Sequence, residues 1–260
     1  MSESVVAAAV AVAQQNGVPC DDPVVLRDAW HVLVHLRPSP VVARVTSSVA
    51  YPEGPDPEGV VRELAVAAFC VEAGCSVVPP LGGPWNEAGH VVTFWEYVAP
   101  HADPDPRETA RALRAIHDAL EGYDGELPEF GHPKETQDLL DALPPSVDVE
   151  FLREIAAKRP DVRGQALHGD AHMYNVRGSP GGPLWHDFET ACRGPREYDL
   201  AALENDEALA AYGPYDRDLV EALRPLYLAW VTASMMMATS RRPELADNVG
   251  RVLDILRRSQ

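Results

Sequence analysis

The spacing of apolar residues changes partway along the chain. Residues 23 to 28, 30 to 37 and 40 to 47 are runs of strand-forming residues separated by Asp28-Ala29 and by Arg37-Pro38-Ser39-Pro40, which predicts an antiparallel meander. Before them, the apolar run Val5 to Val12 leads into Gln14-Gln15-Asn16-Gly17 and reads as an amphipathic helix closed by a glycine. After them, a helix is expected to start at Asp56-Pro57, with Asp as N-cap and Pro in the first turn, and to end near Gly74. A further strand is expected from Val91 to Tyr97, leading into Val98-Ala99-Pro100.

Beyond that point the period becomes helical. Asp105-Pro106-Arg107-Glu108 supplies an N-cap, a Pro at the first position and a Glu at the third, and Leu113, Ile116, His117 and Leu120 then share one face. Helices are also expected at 134 to 143, 147 to 158, 197 to 211, 216 to 238 and 243 to 258. The fold class is therefore α+β, with a small antiparallel-sheet lobe over residues 1–98 and a mainly helical lobe over 99–260.

Charge and composition narrow the functions available. A formal net charge of −18 argues against a nucleic-acid partner, because a polyanion requires a basic surface. From Asp187 to Glu221 ten acidic residues face three arginines, which reads either as a solvated helical face or as a pocket attracting a cationic small-molecule substrate. Four cysteines without C-x-x-C spacing read as reduced thiols. No run approaches the roughly 18 apolar residues needed to span a bilayer, and the expectation is a cytoplasmic protein without a membrane partner.

The chemistry concentrates in His168-Gly169-Asp170-Ala171-His172-Met173-Tyr174-Asn175, with Asp187-Phe188-Glu189 shortly downstream. Asp170 can accept or orient a substrate proton, while Asn175 and Asp187 can give oxygen ligands to Mg²⁺ bridging nucleotide phosphates. Five fixed positions at this spacing arise by chance in a chain of this length about once in ten thousand, so the constellation points to phosphoryl transfer.

This segment resembles the H-G-D-x-H-x-x-N motif of the aminoglycoside phosphotransferase and choline kinase superfamily, small-molecule kinases with a bilobal protein-kinase-like fold. The resemblance extends to Gly194-Pro195-Arg196-Glu197-Tyr198-Asp199-Leu200-Ala201 and back to Ala112-Leu113-Arg114-Ala115-Ile116-His117 of the preceding helical segment. It implies catalysis by Asp170, metal ligation by Asn175 and Asp187, and supporting roles for His168, His172 and Glu189. It also implies an ATP or GTP cofactor, with adenine contacts from hinge backbone around Glu96 and Val98. The acceptor it implies is a hydroxyl of an amino sugar, antibiotic or related metabolite, with antibiotic resistance as one setting.

Two departures from the family pattern stand out. The strand Val41-Val42-Ala43-Arg44-Val45 carries Arg44 where the resemblance implies a phosphate-binding Lys, with Glu63 as its partner, and the only lysines are Lys134 and Lys158. Arg is bulkier and bidentate, so Arg44 and Glu63 are either the phosphate anchor or a surface ion pair. The turn Asp28-Ala29-Trp30-His31 lacks glycine, so its backbone cannot cradle phosphates as a Gly-rich loop does. These departures keep open a non-catalytic kinase-fold binding protein, and the H-x-D-x-H spacing separately leaves a metal-dependent hydrolase using His168, Asp170 and His172 as ligands.

Overall fold

Alternation decides which face of the first sheet is buried, and so where Arg44 points. In the computed structural model, which describes residues 2–46, 57–203 and 205–259, the chain divides into two units. Met1–Pro104 with Arg177–Glu189 form the first, and Asp105–Val176 with Thr190–Gln260 the second. The division expected at one point near residue 98 is thus crossed again, because Arg177–Glu189 packs with the first unit.

The first unit holds helix α1 (Ser2–Gln15), strands β1 (Cys20–Asp28), β2 (His31–Pro38) and β3 (Val41–Thr46), helix α2 (Pro57–Glu72), and strands β4 (Pro80–Glu87) and β5 (His90–Glu96). The five strands form one antiparallel sheet in the order β1-β2-β3-β5-β4. Val41, Ala43 and Val45 of β3 pack with Val34, Leu36 and Phe94 against Val5, Ala9 and Val12 of α1. Strand side chains alternate, so Arg44 between them faces away from that core. Pro23 is accommodated because β1 is an edge strand. The expected helix start at Asp56 lies outside the described residues.

Strand β4 was not anticipated. Pro80, Gly82, Gly83 and Pro84 read as breakers, and the strand tolerates them through register shifts between Pro80 and Gly82 and between Gly82 and Trp85. A hairpin of strands Val176–Ser179 and Gly182–Trp185 brings Trp185 alongside Val77. Val78 N donates to Trp185 O and Trp185 N to Ser76 O, each at 2.9 Å, which fixes the segment that ends in Asp187.

The second unit contains α3 (Pro106–Leu120), α4 (Pro133–Ala142), α5 (Val147–Ala156), α6 (Arg196–Leu203), α7 (Asp206–Tyr212), α8 (Arg217–Ala238) and α9 (Ala246–Arg258). Asp105 caps α3 by accepting from Arg107 N at 2.7 Å. The single helix expected over 197 to 211 is two helices: Asn205 accepts from Ala208 N at 2.9 Å and starts α7 as its N-cap. Strands Gln165–Leu167 and Cys192–Gly194 pair antiparallel, and the segment His168 to Asn175 follows directly on the first of them.

Candidate active site

Within the second unit, the loop after Leu167 is hung from α6. Asp199, fully buried in the first turn of that helix, accepts from His168 N and Gly169 N at 2.8 Å each and lies 2.9 Å from His117 Nε2. His117 Nδ1 is 2.6 Å from the Tyr212 hydroxyl, so α3 and α7 brace the same carboxylate. Gly169 has φ +88°, and a Cβ there would lie 1.8 Å from Thr190 O. No side chain fits that turn.

The turn delivers Asp170 into a set of donors. Tyr227 of α8 donates its hydroxyl to Asp170 Oδ1 at 2.7 Å. His172 Nε2 lies 3.3 Å from Oδ2, and Asn175 Nδ2 donates to Oδ2 at 3.3 Å and to the Asp170 carbonyl at 2.9 Å. Burial acts to raise the Asp170 carboxyl, but the hydrogen bond and charge of His172 and the Tyr227 phenol outweigh it, so the group lies below the ordinary carboxylate range. Asp170 is therefore an anion at neutral pH, suited to accept a hydrogen bond from a hydroxyl.

Asn175 is buried at the end of the turn Met173–Asn175. Because its nitrogen is committed to the Asp170 carbonyl, the carboxamide oxygen is the atom it can give to a cation. His168 is buried and receives Asp170 N on Nδ1 at 3.4 Å, a position inside the loop. The reading of His168, Asp170 and His172 as ligands gains nothing here: among the described residues no group of three or more His, Cys, Asp or Glu side chains could hold a metal ion.

In the first unit, Arg44 is buried beneath three acids. It donates to Glu63 through Nη1, and Nη2 reaches Glu189 at 2.6 Å and Asp187 Oδ1 at 3.0 Å. Its side chain is 9% exposed and that of Glu63 2%, so the surface ion pair considered from sequence is a buried one. Burial acts to lower the Arg44 guanidinium, and the three carboxylates raise it beyond its usual value. Burial pushes Glu63 up to about 7 against the opposing charge of Arg44. Glu189 is held down at about 2 because Arg44 and His31 outweigh its own burial.

Glu189 is thus no solvated loop acid. His31 Nε2 lies 2.9 Å from its carboxylate, and Arg62 of α2 donates twice to its carbonyl, at 2.9 and 2.6 Å. Asp187, one-third exposed, follows strand Gly182–Trp185 and has φ +71°, a left-handed conformation that costs a non-glycine residue energy. At the end of β5, Glu96 N donates to Pro79 O and Tyr97 N to Pro40 O, each at 3.0 Å, with Val98 following.

Sequence reasoning did not anticipate His31, Arg62 and Tyr227. His31 follows a turn noted only for its lack of glycine, and Tyr227 reads as one more core aromatic of α8. Nothing in spacing links it to Asp170, 57 residues away.

A family model described as the phosphotransferase enzyme family matches residues 21–235, and the chain belongs to that family. No curated protein is matched by sequence. Among solved structures, the chain is similar to choline kinase LicA from Streptococcus pneumoniae, with TM-score 0.73 and 15% identity over 97% of this chain and 98% of that one. It is likewise similar to amicoumacin kinase hAmiN in complex with AMP-PNP, Ca²⁺ and Ami, with TM-score 0.67 and 14% identity over 98% and 96%. The GDP and kanamycin complex of APH(2")-IIia matches with TM-score 0.69 and 14% identity over 96% and 97%. The fold is that of these small-molecule kinases, related to protein kinases.

Proposed function

We propose that this phosphotransferase moves the γ-phosphate of ATP or GTP to a hydroxyl of an amino sugar, antibiotic or related metabolite in the cytoplasm. The observation that carries this reading is the Asp170 to Asn175 turn, in which one side chain is kept anionic and the other commits its nitrogen to Asp170, leaving its carboxamide oxygen as the atom for a cation. The acceptor oxygen bonds to the γ-phosphorus as the bond to the bridging oxygen of the nucleoside diphosphate breaks, and the acceptor proton passes to Asp170.

In this reading the oxygens of Asn175 and of Asp187, each a hard donor of the kind Mg²⁺ takes, would be its ligands, and the bound ion would neutralise phosphate charge. Arg44, supported by Glu63, is the phosphate contact of this reading, and backbone at Glu96 and Val98 takes the base. His168, His172 and Glu189 support these groups. Release of ADP or GDP, screened against choline, kanamycin, amicoumacin, other hydroxylated antibiotics and small metabolites with Mg²⁺ present, tests it: acceptor-dependent release is expected, and none with any acceptor or with water would refute it.

A second reading, a non-catalytic binding protein of kinase fold, is favoured by one observation. The Arg44 guanidinium is already engaged by Glu63, Asp187 and Glu189. Thermal stabilisation by MgATP or MgGTP, together with turnover, separates the two.

A further inference from the structure

The Asp170 carboxylate is gripped from two sides. Tyr227 donates to Oδ1 at 2.7 Å, while Asn175 Nδ2 and His172 Nε2 each lie 3.3 Å from Oδ2. Tyr227 is 4% exposed. Its ring stands edge-on to Tyr198, with centroids 6.0 Å apart at 80°, and tilts against Trp230 at 6.1 Å, so packing fixes where its hydroxyl sits. The Asp170 side chain, by contrast, is 20% exposed.

A carboxylate bound at one oxygen can still swing about its terminal torsion, which is broad and roughly two-fold. One bound at both cannot, and here the donor on Oδ1 comes from the buried side. Resting on the kinase reading, we propose that Tyr227 is a positioning residue for phosphoryl transfer, holding the Asp170 carboxylate so that its exposed edge receives the acceptor hydroxyl. A 2.7 Å phenol bond from a packed helix sets that orientation before any acceptor arrives. Preorganisation of this kind acts on the rate of the chemical step and leaves nucleotide binding alone.

The test uses the full chain with MgATP and MgGTP, water as the acceptor, and release of ADP or GDP as the signal. Tyr227→Phe removes one oxygen and keeps the ring; it should lower kcat by about tenfold or more while nucleotide KM stays within about twofold. In the Asp170→Asn background the same change should produce no further fall, because Tyr227 acts through Asp170. Tyr227→Leu, which also removes the ring, should lower the melting temperature further without lowering kcat further.

A Tyr227→Phe protein with parental kcat, beside an Asp170→Asn protein that is impaired, overturns the role of Tyr227 and leaves the kinase reading standing. An equal fall in the Asp170→Asn background overturns it as well. A parent protein releasing neither diphosphate with water or with any acceptor of the screen above, or an Asp170→Asn protein as active as the parent, overturns the kinase reading and the role of Tyr227 with it.

Discussion

Arg44 Nη2 donates to Asp187 Oδ1 at 3.0 Å, so the side chain expected to face phosphate holds the side chain expected to face metal. Each compensates the other's charge, and in the proposed function Mg²⁺ and a nucleotide would compete for both. The same guanidinium supports Glu63, which has almost no contact with solvent.

Arg44→Ala therefore leaves a buried acid without its cation. Urea unfolding should show a loss of about 3–5 kcal/mol, the range for breaking a buried pair from one side, in place of the roughly 0–1 kcal/mol of a surface pair. Arg44→Lys should recover part of the stability and part of the nucleotide KM, since it keeps the charge but cannot fork between Glu63 and Glu189.

Asp187→Gly separates binding from folding. Glycine adopts φ +71° without penalty, so stability should stay within about 1 kcal/mol of the parent. Mg²⁺-dependent nucleotide affinity, measured by calorimetry, should fall at least about tenfold with the loss of a carboxylate ligand.

Asp199→Asn places an amide where two backbone N–H groups and His117 converge. Stability should fall by about 2–4 kcal/mol. Turnover should fall at temperatures where the protein remains folded, because the loop bearing Asp170 loses its support; circular dichroism melts with kinetics below the transition check this.

The sequence announced this architecture unevenly. Strands β1, β2, β3 and β5 and most helices were legible because alternation and caps such as Asp105 act locally. Strand β4 was hidden by Pro80, Gly82, Gly83 and Pro84, whose irregular register only the neighbouring strand makes tolerable. In the site, the roles proposed for Asp170, Asn175 and Asp187 follow from fixed spacing. The contacts of His31, Arg62 and Tyr227 arise from tertiary packing, which spacing does not encode. Arg44 lay between these cases: its pairing with Glu63 was foreseen, but its contacts with Asp187 and Glu189 were not, because they cross more than a hundred residues.

Gly169→Ala should be among the most damaging single changes in the chain. The added methyl would meet Thr190 O at 1.8 Å in a backbone with φ +88°. Losses of about 3 kcal/mol or more, beyond the usual range for point changes, are expected in thermal and urea melts, with turnover abolished.

In the proposed mechanism Asp170 is the group that takes the acceptor's proton. Single-turnover transfer of the γ-phosphate from MgATP or MgGTP, compared between the parent and Asp170→Asn, tests it most directly. The variant should fold and bind nucleotide as the parent does while transferring phosphate about 100-fold more slowly or worse, the usual scale of acid–base contributions. Transfer at the parental rate would contradict that role of Asp170.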